Sequence, residues 1–247
     1  MLNHIEITQI LFLDIETVPI VPSYNGLDET FQSLWKQKSR SILKKYDEEV
    51  TDEEAASVFD RAGIYAEFGK IICISVGFLT RDRASQELQL RTKSFKSDNE
   101  DELLMEFKAL LDKKFHHYIC GHNIKEFDMP YICRRMLINQ IEFPSLLDIA
   151  GKKPWEVKQF IDTLELWKFG DNKAYTSLKL LAAVFGFPSP KDDIDGSEVA
   201  GVYWENRELS RIAKYCEKDV LATVQLFLKY RRQPILSESQ ITSVTEF

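Results

Sequence analysis

The residues that could do chemistry fall in three short stretches of this 247-residue chain. In Leu11-Phe-Leu-Asp-Ile-Glu-Thr17, Asp14 and Glu16 interrupt an apolar, β-prone run. Side chains alternate faces along a strand, so both carboxylates project from one face. Adjacent carboxylates repel and resist ionisation unless a cation lies between them. Hard oxygen donors of this kind suit Mg²⁺ or Mn²⁺. A strand end that turns acidic on reaching solvent has the same local pattern, so the rest of the chain must supply further carboxylates. The second stretch, Gly121-His-Asn-Ile-Lys-Glu-Phe-Asp-Met-Pro130, reads as a strand end, a glycine turn and a helix starting at Asp128. Asp128 is a good N-cap and Pro130 is tolerated in the first turn, and a capping Asp can also face a site beyond the helix. Asn123 is expected to brace the loop by local hydrogen bonds. His122 reads as a packing or hydrogen-bonding residue, because no second His or Cys stands at ligand spacing. In the third stretch, Ile212-Ala-Lys-Tyr-Cys-Glu-Lys-Asp-Val-Leu221, Tyr215 and Asp219 share a helix face. Tyr215 alone is an ordinary half-buried aromatic. Asp219 lies amid Val220, Leu221, Val224 and Phe227, where a carboxylate costs stability unless it is paired or binds a cation.

Positioning these groups falls to strands followed by helices. Strands are expected from about Gln9 to Glu16, Ile71 to Leu79, Gln86 to Phe95, Tyr118 to Cys120 and Lys158 to Leu164. Helices are expected from about Asn99 to Phe115, onward from Asp128, from Ser177 to Phe185 and from Arg207 to Arg231. Between the first two strands, residues 28–68 read as a charged helical insertion. It has a possible apolar stripe at Leu34, Trp35, Ile42, Leu43 and Tyr46, and Thr51-Asp-Glu-Glu resembles a capped helix start. Gly186–Gly201 reads as a loop and residues 234–247 as a loose polar tail. The order indicates one α/β domain over residues 1–233, a mixed β-sheet flanked by α-helices.

Composition narrows the function classes. With 32 basic and 39 acidic side chains the net charge is −7, which argues against coating nucleic acid by bulk positive charge. It leaves room for an enzyme that grips a short strand locally. No apolar run reaches membrane-spanning length, and the first residues lack a secretory pattern, so no membrane partner is expected. The four cysteines form no C-x-x-C pair and read as reduced thiols of a cytoplasmic protein.

Taken together, Asp14-x-Glu16, Asn123 with Asp128, and Tyr215-x-x-x-Asp219 resemble the three exonuclease motifs of the DEDD superfamily, in its tyrosine-containing branch. A narrower similarity is to stand-alone predicted exonucleases related to the proofreading domain of family B DNA polymerases. It is carried also by Gly151-Lys-Lys-Pro-Trp-Glu156, Phe160-Ile-Asp-Thr163, Ser177-Leu178 and Gly196-Ser-Glu-Val-Ala-Gly201. The similarity spans roughly residues 9–231. It implies a ribonuclease H-like fold and a 3′–5′ exonuclease using two divalent cations, Mg²⁺ or Mn²⁺. Asp14 would bridge the two ions, Glu16 and Asp219 would complete the first site, and Asp128 would serve the second. Tyr215 would orient the attacking water. The substrate would be a single-stranded or frayed 3′ end, DNA first, releasing nucleoside 5′-monophosphates, with a DNA repair or replication partner as one possible setting. Thr17, Asn123 and Phe127 are candidate substrate contacts, Phe127 being equally suited to the core. Lys125, Arg134, Arg135, Lys152 and Lys153 are candidate phosphate contacts. Rival readings are an exoribonuclease, an endonuclease or transposase-like nuclease on the same fold, and a non-catalytic nucleic-acid-binding module. The last of these would be expected to lack a carboxylate.

Overall fold

The computed structural model describes residues 2–113, 116–171, 175–189 and 193–247. At its centre lies β1 (Ile10–Pro19), between β2 (Gly69–Arg81), which is antiparallel to it, and β4 (Tyr118–Gly121), which is parallel. β3 (Leu88–Lys96) and β5 (Phe160–Asp162) extend the sheet on either side, and β6 (Ile241–Ser243) joins β3 in parallel. The order is β5-β4-β1-β2-β3-β6. Among the described residues this is the expected mixed sheet, with the ribonuclease H-like arrangement of an antiparallel second strand and parallel outer ones.

Period-two alternation sorts β1 between two layers. Leu11, Leu13 and Ile15 face a core with α3 (Glu100–Leu111) and α4 (Asp128–Ile138). Ile10 and Phe12 face the long helix α8 (Leu209–Tyr230), where Phe12 meets Phe227 edge-on at 5.6 Å. Asp14 and Glu16 continue that second row, so the strand's own geometry aims them at α8. The helix lies close to the sheet at Gly77, where a Cβ would come within 2.8 Å of Val220 Cγ1. Any side chain at Gly77 would push α8 away.

On the opposite face, Glu100 and Arg135 form a buried pair through Arg135 Nε and Nη2 at 2.9 and 2.5 Å. Glu100 also accepts the Ile71 N–H at 2.7 Å. Arg135, expected as a candidate phosphate contact, is therefore a structural cation inside the fold. The helix expected from Asn99 to Phe115 runs from Glu100 to Leu111, with Asn99 capping it; Phe115 lies outside the described residues.

The insertion consists of α1 (Glu29–Leu43), α2 (Asp52–Ser57) and a 3₁₀ turn, Phe59–Ile64. The Thr51–Glu54 capping box is present. Trp35 is fully buried against Phe59 and Phe68, with ring centroids 5.5 and 5.2 Å away, and its indole N–H donates to the Ala55 carbonyl at 2.9 Å. Leu34 and Tyr46, placed in the same expected stripe, are exposed.

Three segments depart from the sequence reading. β5 stops at Asp162 because that side chain caps α5 (Thr163–Lys168), accepting the Leu164 and Glu165 N–H groups. The expected loop 186–201, which follows α6 (Leu178–Phe185), contains the start of a short helix, α7 (Val199–Trp204), which packs on Val18, Ile72 and Tyr215; residues 190–192 lie outside the described residues. The tail 234–247 is not loose. Leu236 is buried with its backbone clasped by Gln225, and β6 completes the sheet. Beneath it, Glu217 on α8 accepts hydroxyls from Thr92, Ser94, Ser243 and Thr245.

Candidate active site

Asp14, Glu16, Asp128, Tyr215 and Asp219 meet in one cleft of about 330 Å³, lined also by Ile15, His122, Asn123, Phe127, Tyr175 and Gly196. Three chain segments far apart in sequence converge there. β1 delivers Asp14 and Glu16, α8 delivers Tyr215 and Asp219, and the turn from β4 into α4 delivers Asn123, Phe127 and Asp128. The β1–β2 register shifts between Glu16 and Thr17, so the strand's regular alternation ends at the second carboxylate.

The turn is tight at both ends. A Cβ at Gly121 would fall 2.7 Å from the Ile124 side chain, and Asn123 takes a left-handed φ of 66°, which Asn tolerates better than most residues. Asn123 does not brace this loop with its own side chain as expected. Asp162 does so, accepting the N–H groups of Asn123 and Lys125 at 3.0 and 3.1 Å. Asp128 is the first residue of α4 and not its cap; Phe127 holds the cap position. The Asp128 carboxylate instead accepts the Ile15 N–H at 3.2 Å, tying α4 to the strand that carries Asp14.

Crowding sets the protonation of the cluster. Burial, then the charges of Asp219, Asp128 and Glu16, hold the Asp14 carboxyl well above the usual range. Burial pushes Asp128 up to about 7, against the opposing pull of backbone N–H groups, including that of Ile15. The Tyr215 phenol is raised by burial, by the charges of Asp219, Glu16 and Asp14, and by a hydrogen bond to Asp219. It stays protonated and acts as a donor. His122 is hydrogen-bonded through Nδ1 to Thr163 Oγ1 and through Nε2 to the Thr176 carbonyl, each at 2.9 Å, the hydrogen-bonding role expected of it.

Thr17 lies beside the cleft in an adjoining hollow of about 380 Å³ that also takes in Glu16, Phe127, Asp60, Arg61 and Ile64. Phe127 lines both cavities while its ring packs on Tyr131 at 5.5 Å, so it is at once packed and exposed to the cleft. Lys125 is paired with Glu165 at 2.5 Å; Arg134, Lys152 and Lys153 are exposed and outside the cleft lining.

Four neighbours of the cluster were missed by sequence reasoning. Cys216, read as a core thiol, donates to the carboxylate and the carbonyl of Asp14 at 3.3 and 3.4 Å. Its sulfur and oxygens of Asp14 and Glu16 all lie within 4.8 Å of one another. Tyr175 and Gly196 line the cleft from segments with no chemical signature of their own, although Gly196 belongs to a stretch that supports the family resemblance. Asp162 could have been noticed as a lone acid ending a strand.

The donor set suits a hard divalent cation: four carboxylates in one cleft, with no Lys or Arg among the described lining residues. The thiol is a poor partner for such an ion and already serves Asp14 as a donor.

A family described as a predicted 3′–5′ exonuclease related to the exonuclease domain of PolB matches residues 64–243. Asp128, Tyr215 and Asp219 fall inside that span; Asp14 and Glu16 precede it. No curated protein matches the chain. Among solved structures, the family B DNA polymerase from the hyperthermophilic archaeon Pyrobaculum calidifontis aligns at 14% identity with a TM-score of 0.49. That alignment covers 90% of this chain and 24% of the polymerase chain. No helix among the described residues is long and apolar enough to cross a membrane.

Proposed function

Since this chain belongs to the family of predicted 3′–5′ exonucleases related to the exonuclease domain of PolB, we propose that it hydrolyses the 3′-terminal phosphodiester of single-stranded or frayed DNA, releasing nucleoside 5′-monophosphates. The observation that carries this reading is the convergence of Asp14, Glu16, Asp128, Asp219 and Tyr215 on one open cleft. The same convergence counts against a purely binding role, which has no use for carboxylates that raise each other's pKa in a buried cluster.

Asp14, Glu16, Asp128 and Asp219 would hold two divalent cations, Mg²⁺ or Mn²⁺. When bound, these supply a nucleophile from water at neutral pH and neutralise charge developing on the phosphate. The protein's own part is positioning. The Ile15 N–H fixes Asp128, and the Cys216 thiol fixes Asp14. Tyr215, kept as a neutral phenol beside Asp219, orients the attacking water and does not take its proton. Phe127 offers its ring to the terminal base, and Thr17 and Asn123 flank the path of the terminal nucleotide. The acidic net charge is no obstacle, because bound cations invert the field where the scissile phosphate arrives.

The test is purified protein with 5′-labelled single-stranded DNA and matched RNA, each with Mg²⁺, Mn²⁺ or EDTA. The expected result is a metal-dependent ladder shortening from the 3′ end, with DNA preferred. Absence of cleavage on both, or cleavage of a circular substrate, contradicts the proposal.

A further inference from the structure

A cavity of about 440 Å³ is separate from the carboxylate cleft and lies against the edge strand β5. Trp155, Lys158, Lys125 and Tyr118 are among its lining. We propose that this cavity and the adjoining turn are the binding platform for the nucleotides of a single strand upstream of its 3′ terminus, with Trp155 stacking on a base, and with Lys158 of the lining and Lys152 and Lys153 just before Trp155 in the chain meeting phosphates. The inference rests on the exonuclease reading and extends it to the substrate's path.

Three observations support it. First, Trp155 is 68% exposed on the 3₁₀ turn Pro154–Glu156 and, among the described residues, belongs to none of the apolar clusters. Lys153 Nζ lies over its ring, 5.2 Å from the centroid, so an ammonium and an aromatic surface meet at this point. This is the combination by which single-strand binders hold bases and backbone without reading sequence. The turn is also held in shape, the Glu156 carboxylate accepting the Lys153 N–H at 2.8 Å.

Second, the local charge is free to act. The acidic groups in the cavity are engaged: Asp162 by the N–H groups of Asn123, Lys125, Leu164 and Glu165, and Glu165 by the Lys125 ammonium. Lys152, Lys153 and Lys158 form no ion pair among the described residues. In a chain of net charge −7, such a patch is where a polyanion is best accepted.

Third, one turn of the chain links the cavity to the site. Asn123, Phe127 and Asp128 of the β4–α4 turn line the carboxylate cleft, while Lys125 of the same turn lines this cavity. In the proposed path, a strand with its terminal phosphodiester at the carboxylates crosses this turn to reach Trp155.

The experiment compares three- and ten-nucleotide oligothymidylates and their RNA counterparts, using wild type, Trp155→Ala and Lys152→Ala/Lys153→Ala. It reads kcat/KM with Mg²⁺, and fluorescence-anisotropy binding of the ten-mer in EDTA. Wild type should favour the ten-mer over the trimer in kcat/KM on at least one backbone. Trp155→Ala should weaken ten-mer binding about tenfold, the scale of one lost base stack. It should abolish most of the length preference and leave trimer turnover unchanged. The double lysine variant should weaken ten-mer binding and flatten its dependence on salt. Absence of a length preference in wild type, its retention in both variants, or equal loss on the trimer would each overturn the platform. Ten-mer binding that depends on Trp155 in a protein that cleaves nothing would strike the exonuclease reading alone.

Discussion

The Cys216 thiol touches Asp14 at both its carboxylate and its carbonyl, yet nothing in the sequence distinguishes it from the other buried cysteines. Asp14, Glu16, Tyr215 and Asp219 were legible because their spacing is local: two residues apart on a strand, four on a helix. Cys216 acts across 202 residues of chain, and no local spacing signals such a contact. For the same reason Arg135 was misread as a phosphate contact, its partner Glu100 being 35 positions away. Two expectations follow at this scale. Asp14→Asn should eliminate detectable hydrolysis yet raise the melting temperature in EDTA, because it removes one charge from a cluster that raises its own pKa values. A lowered melting temperature would show that Asp14 is a structural group. Cys216→Ala should cost about 10–100-fold in activity or in Mg²⁺ half-saturation, the usual effect of losing a group that orients a metal ligand. Cys216→Ser, which keeps a donor, should recover most of that loss; equal loss in both variants would make Cys216 a packing residue.

At the scale of elements, the insertion between β1 and β2 was recognised as helical, but its task was not. Its helices bury Trp35 in a small core of their own, and the turn Phe59–Ile64 is thereby held beside Glu16 and Thr17. Arg61 on that turn lines the hollow next to the carboxylates and is exposed. The insertion thus forms one wall of the hollow next to the carboxylates. If Arg61 meets a substrate phosphate, Arg61→Ala should raise KM for oligonucleotides several-fold with little change in kcat, since such a contact would be the same in ground and transition states. An unchanged KM would remove the insertion from substrate binding. The C-terminal strand was illegible for a different reason. Ile241–Ser243 is too short and polar to declare itself, and it exists because β3 offers an open edge and Glu217 offers acceptors for Ser243 and Thr245.

Over the whole molecule, the site sets how stability depends on pH. Burial and mutual repulsion raise the folded-state pKa of Asp14 and take Asp128 from 3.8 to about 7. The folded protein therefore binds more protons than the unfolded chain between those values. The stability this contributes is fully present below about pH 4 and is lost as pH rises through 7. The surface carboxylates held low by their partners, Asp52, Glu54, Asp82 and Asp193, act only at more acid pH. His122 works in the opposite direction across part of the window: burial lowers its pKa, so the fold is penalised below its ordinary value of 6.5 and relieved above it. A bare pH–melting curve would mix the two. Asp128→Asn separates them, because it keeps an acceptor for the Ile15 N–H and removes the titration. In EDTA the variant should gain stability over wild type between pH 5.5 and 8, by on the order of a few kcal/mol. Mg²⁺ should raise the wild-type melting temperature more at pH 8, where the carboxylates need no deprotonation to bind it. A stability difference that stays flat across that range, with an equal Mg²⁺ effect at both ends, would mean that Asp128 is ionised throughout and that the cluster holds no shared protons.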